Sequence, residues 1–554
     1  MGKTKKNGNN FIVQGSILAM ASIISRIIGL IYRIPMTEII GDVGNNYYGC
    51  AFDVYNIVLI LSSVSLPQAV SKSVSKELAK GRFKNAYQVF KGAMLFALIS
   101  GSVAGLVVYF GAGFFTGTLL KTPYSVFALK ILAPVLVVVA VLGVLRGFFQ
   151  GLGTMMPSAV SQIIEQIVNA IVSVWAAYVL FGYGTRVGAV LGDKEHYGPA
   201  YGAAGGTLGT GMGAVFGLLF MLFVFYVYMH VYKRRMKKEQ GRKVNPFWYT
   251  FTTLIRTIVP VLLSTTIYNI SGILDQGIFK NVALLQGYSE HEIDVWWGVF
   301  SGKYKLLINI PIAIASAMAA SSVPTLTASF VEKDTEKVRE QIFAAIRFVM
   351  VIAIPCTVGL TILAKPIFLL LFPTTAATAD TAAAMMLWGS TAVIFYSLST
   401  LSNGLLQGID RLKVPVVHAV ISLVAHVILL IVLMLFFRLR IYAVVIANVF
   451  FALLMCVLNA RALYRYSGYR QEWKKTIIIP SVCSALMGVV AYCVHLGLDT
   501  LTKNNALATV FAILLAMVSY GVTLLLFKGL NEEELLRFPK GKTLVKLAKK
   551  LHLM

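Results

Sequence analysis

Two arginines, Arg26 and Arg33, stand inside the apolar run FIVQGSILAMASIISRIIGLIYRIP at residues 11–35. The run is long enough to cross a bilayer as a helix, which takes about 20 mostly apolar residues. Seven positions separate the two arginines, so they fall two turns apart on one helix face. A charge in hydrocarbon costs at least roughly 2.5–3.5 kcal/mol. The face must therefore line water, meet an anion or lead to an interface. Arg33 can snorkel to the outer surface. Arg26 lies deeper, roughly 22 Å along the helix from Phe11, and reads as a cavity-lining residue. Guanidinium groups grip phosphates and carboxylates through paired hydrogen bonds, so the chemistry to expect is anion recognition.

Other apolar segments carry similar anomalies. The second has Asp53 and Asn56. The seventh has Arg256, Asn269, Asp275 and Lys280, and the eighth has Lys303, Lys305 and Asn309. In the fifth, Gln162, Glu165 and Asn169 share a face at i, i+3 and i+7. Polar residues at such depth are functional candidates. Arg26, Arg33, Lys303, Lys305 and Arg256 form the expected cationic binding set. Asp53, Asn56, Glu165, Gln162, Asn169 and Asp275 are the candidates for polar lining or ion coupling. Other readings stay open: Lys303 and Lys305 can snorkel outward, Asp53 can pair with a cavity arginine, and the fifth-span trio can be an interhelix hydrogen-bond network. A cavity of this sign suits an anionic ligand better than a cationic drug.

Signals for bond-making chemistry are absent. GVFSGKYK at 298–305 misses the phosphate-binding loop in spacing and has Tyr304 where Ser or Thr is needed. There is no HExxH, and the five cysteines show no CxxC or zinc spacing. Neither a cofactor nor a metal is expected, and no loop is large enough for an ATPase. Transport would draw on an ion gradient, the membrane potential or downhill substrate flow.

The elements that must position these residues are membrane helices. Of 554 residues 58% are hydrophobic and 13% charged, and mean hydropathy is +0.77; soluble domains carry about 25% charged residues. The net charge of +26 does not indicate nucleic acid, because the basic residues sit in short loops between apolar segments. Fourteen such segments are expected, near 11–35, 46–71, 87–112, 125–147, 156–182, 203–232, 247–280, 298–328, 340–364, 381–405, 413–437, 441–464, 476–498 and 505–528. Lys and Arg crowd alternate loops, most of all KRRMKKEQGRK at 233–243, whereas 36–45 and 281–294 are acidic. Both termini are therefore expected in the cytoplasm.

A shift of 257 residues aligns Ser65 with Ser322, Pro67 with Pro324, Lys80 with Lys337, Arg82 with Arg339, and Gln150-Gly151 with Gln407-Gly408. Several pairs at one offset indicate an internal repeat. An even number of spans separates the copies, so both have the same topology. The expected fold is all-α: two six-helix lobes in parallel repeat, facing across a central cavity, plus two C-terminal helices. The domains would be an N-lobe at 1–232, a cytoplasmic linker at 233–246, a C-lobe at 247–464, the last two spans at 465–530 and an amphipathic interfacial tail at 531–554.

Three stretches carry a family resemblance: RGFFQGLGTMMPSAVSQIIEQIVNAI at 146–171, SRIIGLIYRIP at 25–35 and SLPQAVSKSVSKELAKG at 65–81. The chain resembles the SpoVB/YtgP branch of the MOP (multidrug/oligosaccharidyl-lipid/polysaccharide) exporter superfamily, which includes the MurJ-type lipid II flippases of Gram-positive bacteria. The resemblance covers essentially the whole chain. It implies a flippase in the bacterial cytoplasmic membrane that moves an undecaprenyl-pyrophosphate-linked sugar to the outer leaflet by alternating access. Arg26 matches the family's span 1 Ser-Arg pair. Arg33 stands one place later than in the Gram-negative pattern, whose span 2 arginine has no counterpart here. Lys303 or Lys305 would stand in for its span 8 arginine. The sodium site that some relatives build from acids on spans 7 and 11 is not carried over, because span 11 offers His418 and His426 but no acid. The implied partners are a lipid-linked anionic glycan, membrane lipids, a coupling Na+ or H+, and cell-wall synthesis enzymes. The first expected cargo is the peptidoglycan precursor lipid II and the second another lipid-linked glycan, including one for sporulation; two other classes remain, a cation-coupled drug or metabolite antiporter and a scaffold for cell-wall enzymes.

Overall fold

The computed structural model describes residues 2–63, 66–239, 244–249, 251, 252, 255, 270–411 and 413–529. Arg256, Asn269 and the expected amphipathic tail lie outside these residues. Among the described residues there is no β-strand. In hydrocarbon every backbone polar group must be satisfied within the segment, and these segments do so as helices.

The chain forms two compact units, Met1–Gly302 and Lys303–Met554. In the first, α1 (Gly2–Ser62), α2 (Leu66–Ala79), α3 (Phe83–Gly113), α4 (Val126–Gly151), α5 (Met156–Leu191) and α6 (Lys194–Lys237) are followed by α7 (Ser271–Leu285) and α8 (Glu290–Val299). In the second come α9 (Lys305–Val331), α10 (Thr335–Ile362), α11 (Ala364–Leu371), α12 (Ala379–Gly389), α13 (Ala392–Gly408), α14 (Lys413–Leu435), α15 (Ile441–Ser467), α16 (Ile479–Thr502) and α17 (Asn505–Leu526). Among the described residues ten helical stretches are long and apolar enough to cross a membrane, or eleven with the bent pair Pro373–Gly389 and Ala392–Gly408 taken as one. Fourteen spans are consistent with this. The helix α1 holds two expected spans, and the seventh and eighth, partly described, correspond to α7 and to α8 with α9.

Two expectations about the loops are corrected. The stretch 36–45 is not an open loop: α1 runs through it and breaks only at Gly41, with φ +67° and ψ −178°, a conformation cheap only for glycine. The acidic stretch 281–294 is not all loop either, and the eighth span starts before residue 298. Ser289 caps α8 by accepting from the Glu292 amide, while the Glu292 side chain answers at the Ser289 amide, a capping box that starts the helix at Glu290. A π-helical stretch, Phe300–Tyr304, joins α8 to α9.

Close helix contact in the first unit rests on a glycine ladder. Gly205, Gly209 and Gly213 of α6 meet Ala176, Ser173 and Glu165 of α5, where an added Cβ would come within 2.1–2.5 Å of existing atoms. Small residues every fourth position let two membrane helices touch along their backbones. Ser173 Oγ uses the approach to donate to the Gly206 carbonyl at 2.8 Å.

The internal repeat is real, but its spacing is not constant. In the first unit, Gly147 and Gly151 of α4 press on Pro67 and Val74 of α2, and Ser75 Oγ donates to the Gly151 carbonyl at 2.9 Å. In the second, Gly404 and Gly408 of α13 press on Ala319 and Leu326 of α9, and Thr327 Oγ1 donates to the Gly408 carbonyl at 2.9 Å. Gly151 and Gly408 keep the offset of 257, whereas Ser75 and Thr327 are 252 apart. Pro67 therefore corresponds to Ala319, not to Pro324. The five extra residues lie between the starts of α3 and α10 and the ends of α4 and α13, where α11 and its flanking turns lengthen the second copy.

Candidate functional site

The first arginine face is set by the packing of α1 on α5. Ser22, Arg26, Gly29 and Arg33 recur at three- or four-residue steps, so they share one stripe. Ser22 Oγ donates to Gln162 Oε1 at 3.3 Å, and Gly29 faces Gln166 Oε1. One turn on, the Asn169 amide donates to the Tyr32 hydroxyl at 3.1 Å. Within this polar seam Arg26 is exposed. Arg33 is half-buried, with its guanidinium carbon 4.9 Å from the centre of the Tyr48 ring. Its Nε is buried and makes no hydrogen bond to another described residue. The ring face supplies a cation–π contact and aims Arg33 into the protein.

The fifth-span trio divides among three partners. Gln162 meets α1 through Ser22, and Asn169 meets α1 through Tyr32. Glu165 turns to α4, where Arg146 Nη2 reaches its Oε2 at 2.7 Å while Arg146 Nε donates to Ser161 Oγ at 2.8 Å. Arg146 was not among the candidates, although it opens the RGFFQGLG stretch. Its position at the end of an apolar run resembled that of a snorkelling residue, and nothing local marks it as a partner of Glu165.

The acids on α1 and α7 differ in burial. Asp53 is half-buried and faces Gly272, and Asn56 is exposed. Asp275 is buried, as is the adjoining Gln276, whose amide oxygen and nitrogen both lack a partner among the described residues.

Lys280, one of the polar residues of the seventh segment, stands at a polar centre whose other members the sequence did not join to it. It is fully buried, and Nζ donates to Asn46 Oδ1 at 2.7 Å, Asp294 Oδ1 at 3.1 Å and Thr122 Oγ1. The turn that carries Thr122 directs its own hydroxyl hydrogen to the Leu120 carbonyl, leaving the oxygen free to accept. An ammonium has three donors, and all three are used. Burying an unpaired ammonium costs several kcal/mol, and the Asp294 carboxylate offsets that cost. Asp294 was read as part of an outer acidic loop; it lies on α8 and is buried.

Lys303 and Lys305 are separated by their positions on the helix. Lys303 is buried; Nζ donates to Thr378 Oγ1 at 2.6 Å and to the Thr375 carbonyl at 3.2 Å, and stands 5.7 Å from the Phe372 ring centre. It thus holds the turn before α12. Two residues further on, the chain points to the other side, and Lys305 is half-buried with Asn309 exposed beyond it.

The second unit has a further polar network, on α13, α14 and α15. Asn459 is fully buried. Its amide hydrogens go to Ser402 Oγ at 2.9 Å and Asn403 Oδ1 at 2.8 Å, and its Oδ1 accepts from His418 Nδ1 at 2.8 Å. At the 257 offset Asn403 corresponds to Arg146, and His418 to Ser161.

With this geometry in place, the comparisons with known proteins are decisive about the family. The pattern of polysaccharide biosynthesis proteins matches residues 12–330, over half of the chain. The chain belongs to the polysaccharide biosynthesis protein family. A MatE pattern matches residues 306–432 of this family member. The chain is 25% identical to the lipid II flippase MurJ of Bacillus subtilis (strain 168), over 86% of this chain and 87% of that protein. It is 23% identical to stage V sporulation protein B of the same organism, over 60% and 61% of the two chains. Among solved structures, lipid II flippase MurJ in an inward closed conformation superposes with a TM-score of 0.66 at 16% identity, covering 92% of this chain and 98% of that one. An inward-facing multidrug resistance MATE family transporter of the MOP superfamily superposes at 0.63 with 15% identity, over 81% and 98%. This polysaccharide biosynthesis family member is a multi-pass membrane protein of the MOP exporter superfamily, with that superfamily's all-helical fold.

Proposed function

We propose that the protein is a flippase for a lipid-linked, anionic cell-wall precursor, and that its cargo is undecaprenyl-pyrophosphate-linked peptidoglycan precursor (lipid II), moved from the inner to the outer leaflet by alternating access. The observation that carries this reading is Arg26. It is exposed on an α1 face lined by Ser22 and Gly29 and backed by the glutamines of α5. A membrane span keeps such a charge at a cost, and a pyrophosphate is the anion that a guanidinium suits best. Similarity along most of the chain to a lipid II flippase supports the same cargo.

In this reading Arg26, Arg33, Lys305 and Arg256 meet the substrate, and Lys303 positions the turn before α12. Asp53, Asn56, Glu165, Gln162 and Asn169 line or brace the path, and Asp275 is the group to test for coupling to Na+ or H+. Residues 1–232 and 247–464 act as the lobes, 233–246 as their cytoplasmic link, 465–530 as the border of a groove for the lipid tail, and 531–554 as an interfacial tail. The protein works in the bacterial cytoplasmic membrane with both termini inside, beside cell-wall synthesis enzymes, without catalysing bond formation.

The test is complementation in cells depleted of their lipid II flippase, with wild type and Arg26→Ala matched for expression. Rescue by wild type alone is the expected result. Failure of well-expressed wild type sinks the lipid II assignment and favours another glycan lipid, the reading supported by similarity to a sporulation protein. Rescue by both removes Arg26 from the site. Dye efflux that depends on Asp275 but not Arg26 would instead identify a cation-coupled antiporter.

A further inference from the structure

A cavity of about 300 Å³ opens between α14 and α15 in the second unit. Its lining divides by polarity. Lys413, His418, Arg461 and Arg465 form one part, and Val417 and Leu458 belong to the apolar remainder; among the described residues no carboxylate lines it. No hydrogen bond or ion pair joins Lys413, Arg461 or Arg465 to another described residue. Arg411 stands beside it with its guanidinium carbon 4.5 Å from the centre of the Tyr466 ring, and Tyr466 is also part of the wall. The neighbouring cavity, which shares Arg465, differs: Glu340 and Glu472 line it with Arg339 and Arg470.

His418 is oriented by its surroundings. Both amide hydrogens of Asn459 are committed to Ser402 and Asn403, so Asn459 Oδ1 must accept and His418 Nδ1 must be the donor. His418 is thereby spent on holding Asn459, and the cations of the wall are the donors left for an anion. The apolar part of the cavity continues as a stripe on α14. Val417, Val424, Ile428 and Leu435 recur at helical spacing, and each is at least half exposed. In a membrane span such a stripe faces acyl chains.

We propose that this cleft binds an anionic phospholipid, with its phosphodiester among Lys413, Arg461 and Arg465 and an acyl chain along the Val417–Leu435 stripe. The shared chemistry is a phosphate ester held by charge-assisted hydrogen bonds. A free phosphate would satisfy the cations alone. The apolar stripe that begins inside the cavity is what a lipid uses and a soluble anion does not. The first unit lacks the feature, because its equivalent helix has Met156 for Lys413 and Ser161 for His418 at the 257 offset.

The test uses the full-length protein in neutral detergent. Its thermal midpoint is followed while phosphatidylglycerol, phosphatidylcholine or sodium phosphate is added. Phosphatidylglycerol is expected to raise the midpoint in a saturable manner, with phosphatidylcholine and phosphate much weaker. Arg461→Gln with Arg465→Gln should weaken the phosphatidylglycerol response on the order of tenfold, whereas Lys333→Gln with Lys337→Gln, two exposed cations elsewhere, should leave it unchanged. Val417→Trp keeps every charge and blocks the apolar entrance; it too should weaken the lipid response. Equal stabilisation by phosphatidylcholine, full stabilisation by phosphate alone, or equal loss in the Lys333/Lys337 control would each overturn the proposal. Unchanged elution volume and unliganded midpoint establish that each variant is folded.

Discussion

The two units contain the same backbone junction and fill the space beside it differently. In each, a pair of glycines four residues apart lets one helix press on another, and a hydroxyl closes the contact on the second glycine's carbonyl: Ser75 on Gly151, Thr327 on Gly408. One residue before the first glycine, the units diverge. The first places Arg146 there and answers it with Glu165 and Ser161. The second places Asn403 there and builds a network with Asn459 and His418. Close backbone approach has few solutions, because only glycine fits. Polar satisfaction has many, because an ion pair and an amide–imidazole chain can both complete the hydrogen bonding of a buried site. The repeat is thus preserved where geometry is restrictive and altered where chemistry is permissive.

The largest effect should come from stripping the first unit of a counter-charge. Asp294→Ala leaves the fully buried Lys280 without its carboxylate and should cost about 3–5 kcal/mol, read as a fall in the midpoint of denaturant unfolding in micelles. The paired Lys280→Met, Asp294→Ala variant should recover much of that loss; failure to recover would show that packing, not charge, dominates there.

Next come the glycines. Gly147→Ala drives a methyl to within 2.7 Å of the Pro67 carbonyl, whereas Gly404→Ala meets the Ala319 methyl at 2.9 Å. Backbone yields less readily than a side chain, so Gly147→Ala should cost about 2–3 kcal/mol and Gly404→Ala about 1–2. Equal costs would remove the asymmetry drawn between the two junctions.

Smaller again is the contrast between the networks. Glu165→Gln uncouples a partly exposed ion pair and should cost about 1–2 kcal/mol, after allowance for solvent screening. Asn403→Ala should cost about 1 kcal/mol. Raising the salt concentration should narrow only the Glu165 effect. Least of all, Ser75→Ala and Thr327→Val should each cost about 0.6 kcal/mol, the average for a hydrogen bond between membrane helices, and should match one another within error.

What the residues disclosed in advance follows a physical line. Arg26 and Arg33 were conspicuous because charge in an apolar run stands out without any knowledge of tertiary contacts. The helical class, the many spans and the repeat follow from hydropathy and from matched residues such as Gly151 and Gly408. The partners were not legible. Lys280 draws on Asn46, Thr122 and Asp294, brought from three other places in the chain, and no local pattern joins them. The turn at Gly41 was taken for a loop because Glu38 and Asp42 make the stretch look solvated, yet Asp42 is buried where its carbonyl packs on Gly298. The 252 spacing was hidden because chance identities such as Pro67 with Pro324 favoured a single offset.

The Lys280 cage has a consequence for how the first unit relates to its medium. A diffusible cation held by three oxygens comes and goes with its concentration, and its binding energy enters the stability of the fold through mass action. An ammonium on a side chain has no such concentration. Its place among the oxygens contributed by Asn46, Thr122 and Asp294 is set by the covalent chain and not by a solution concentration.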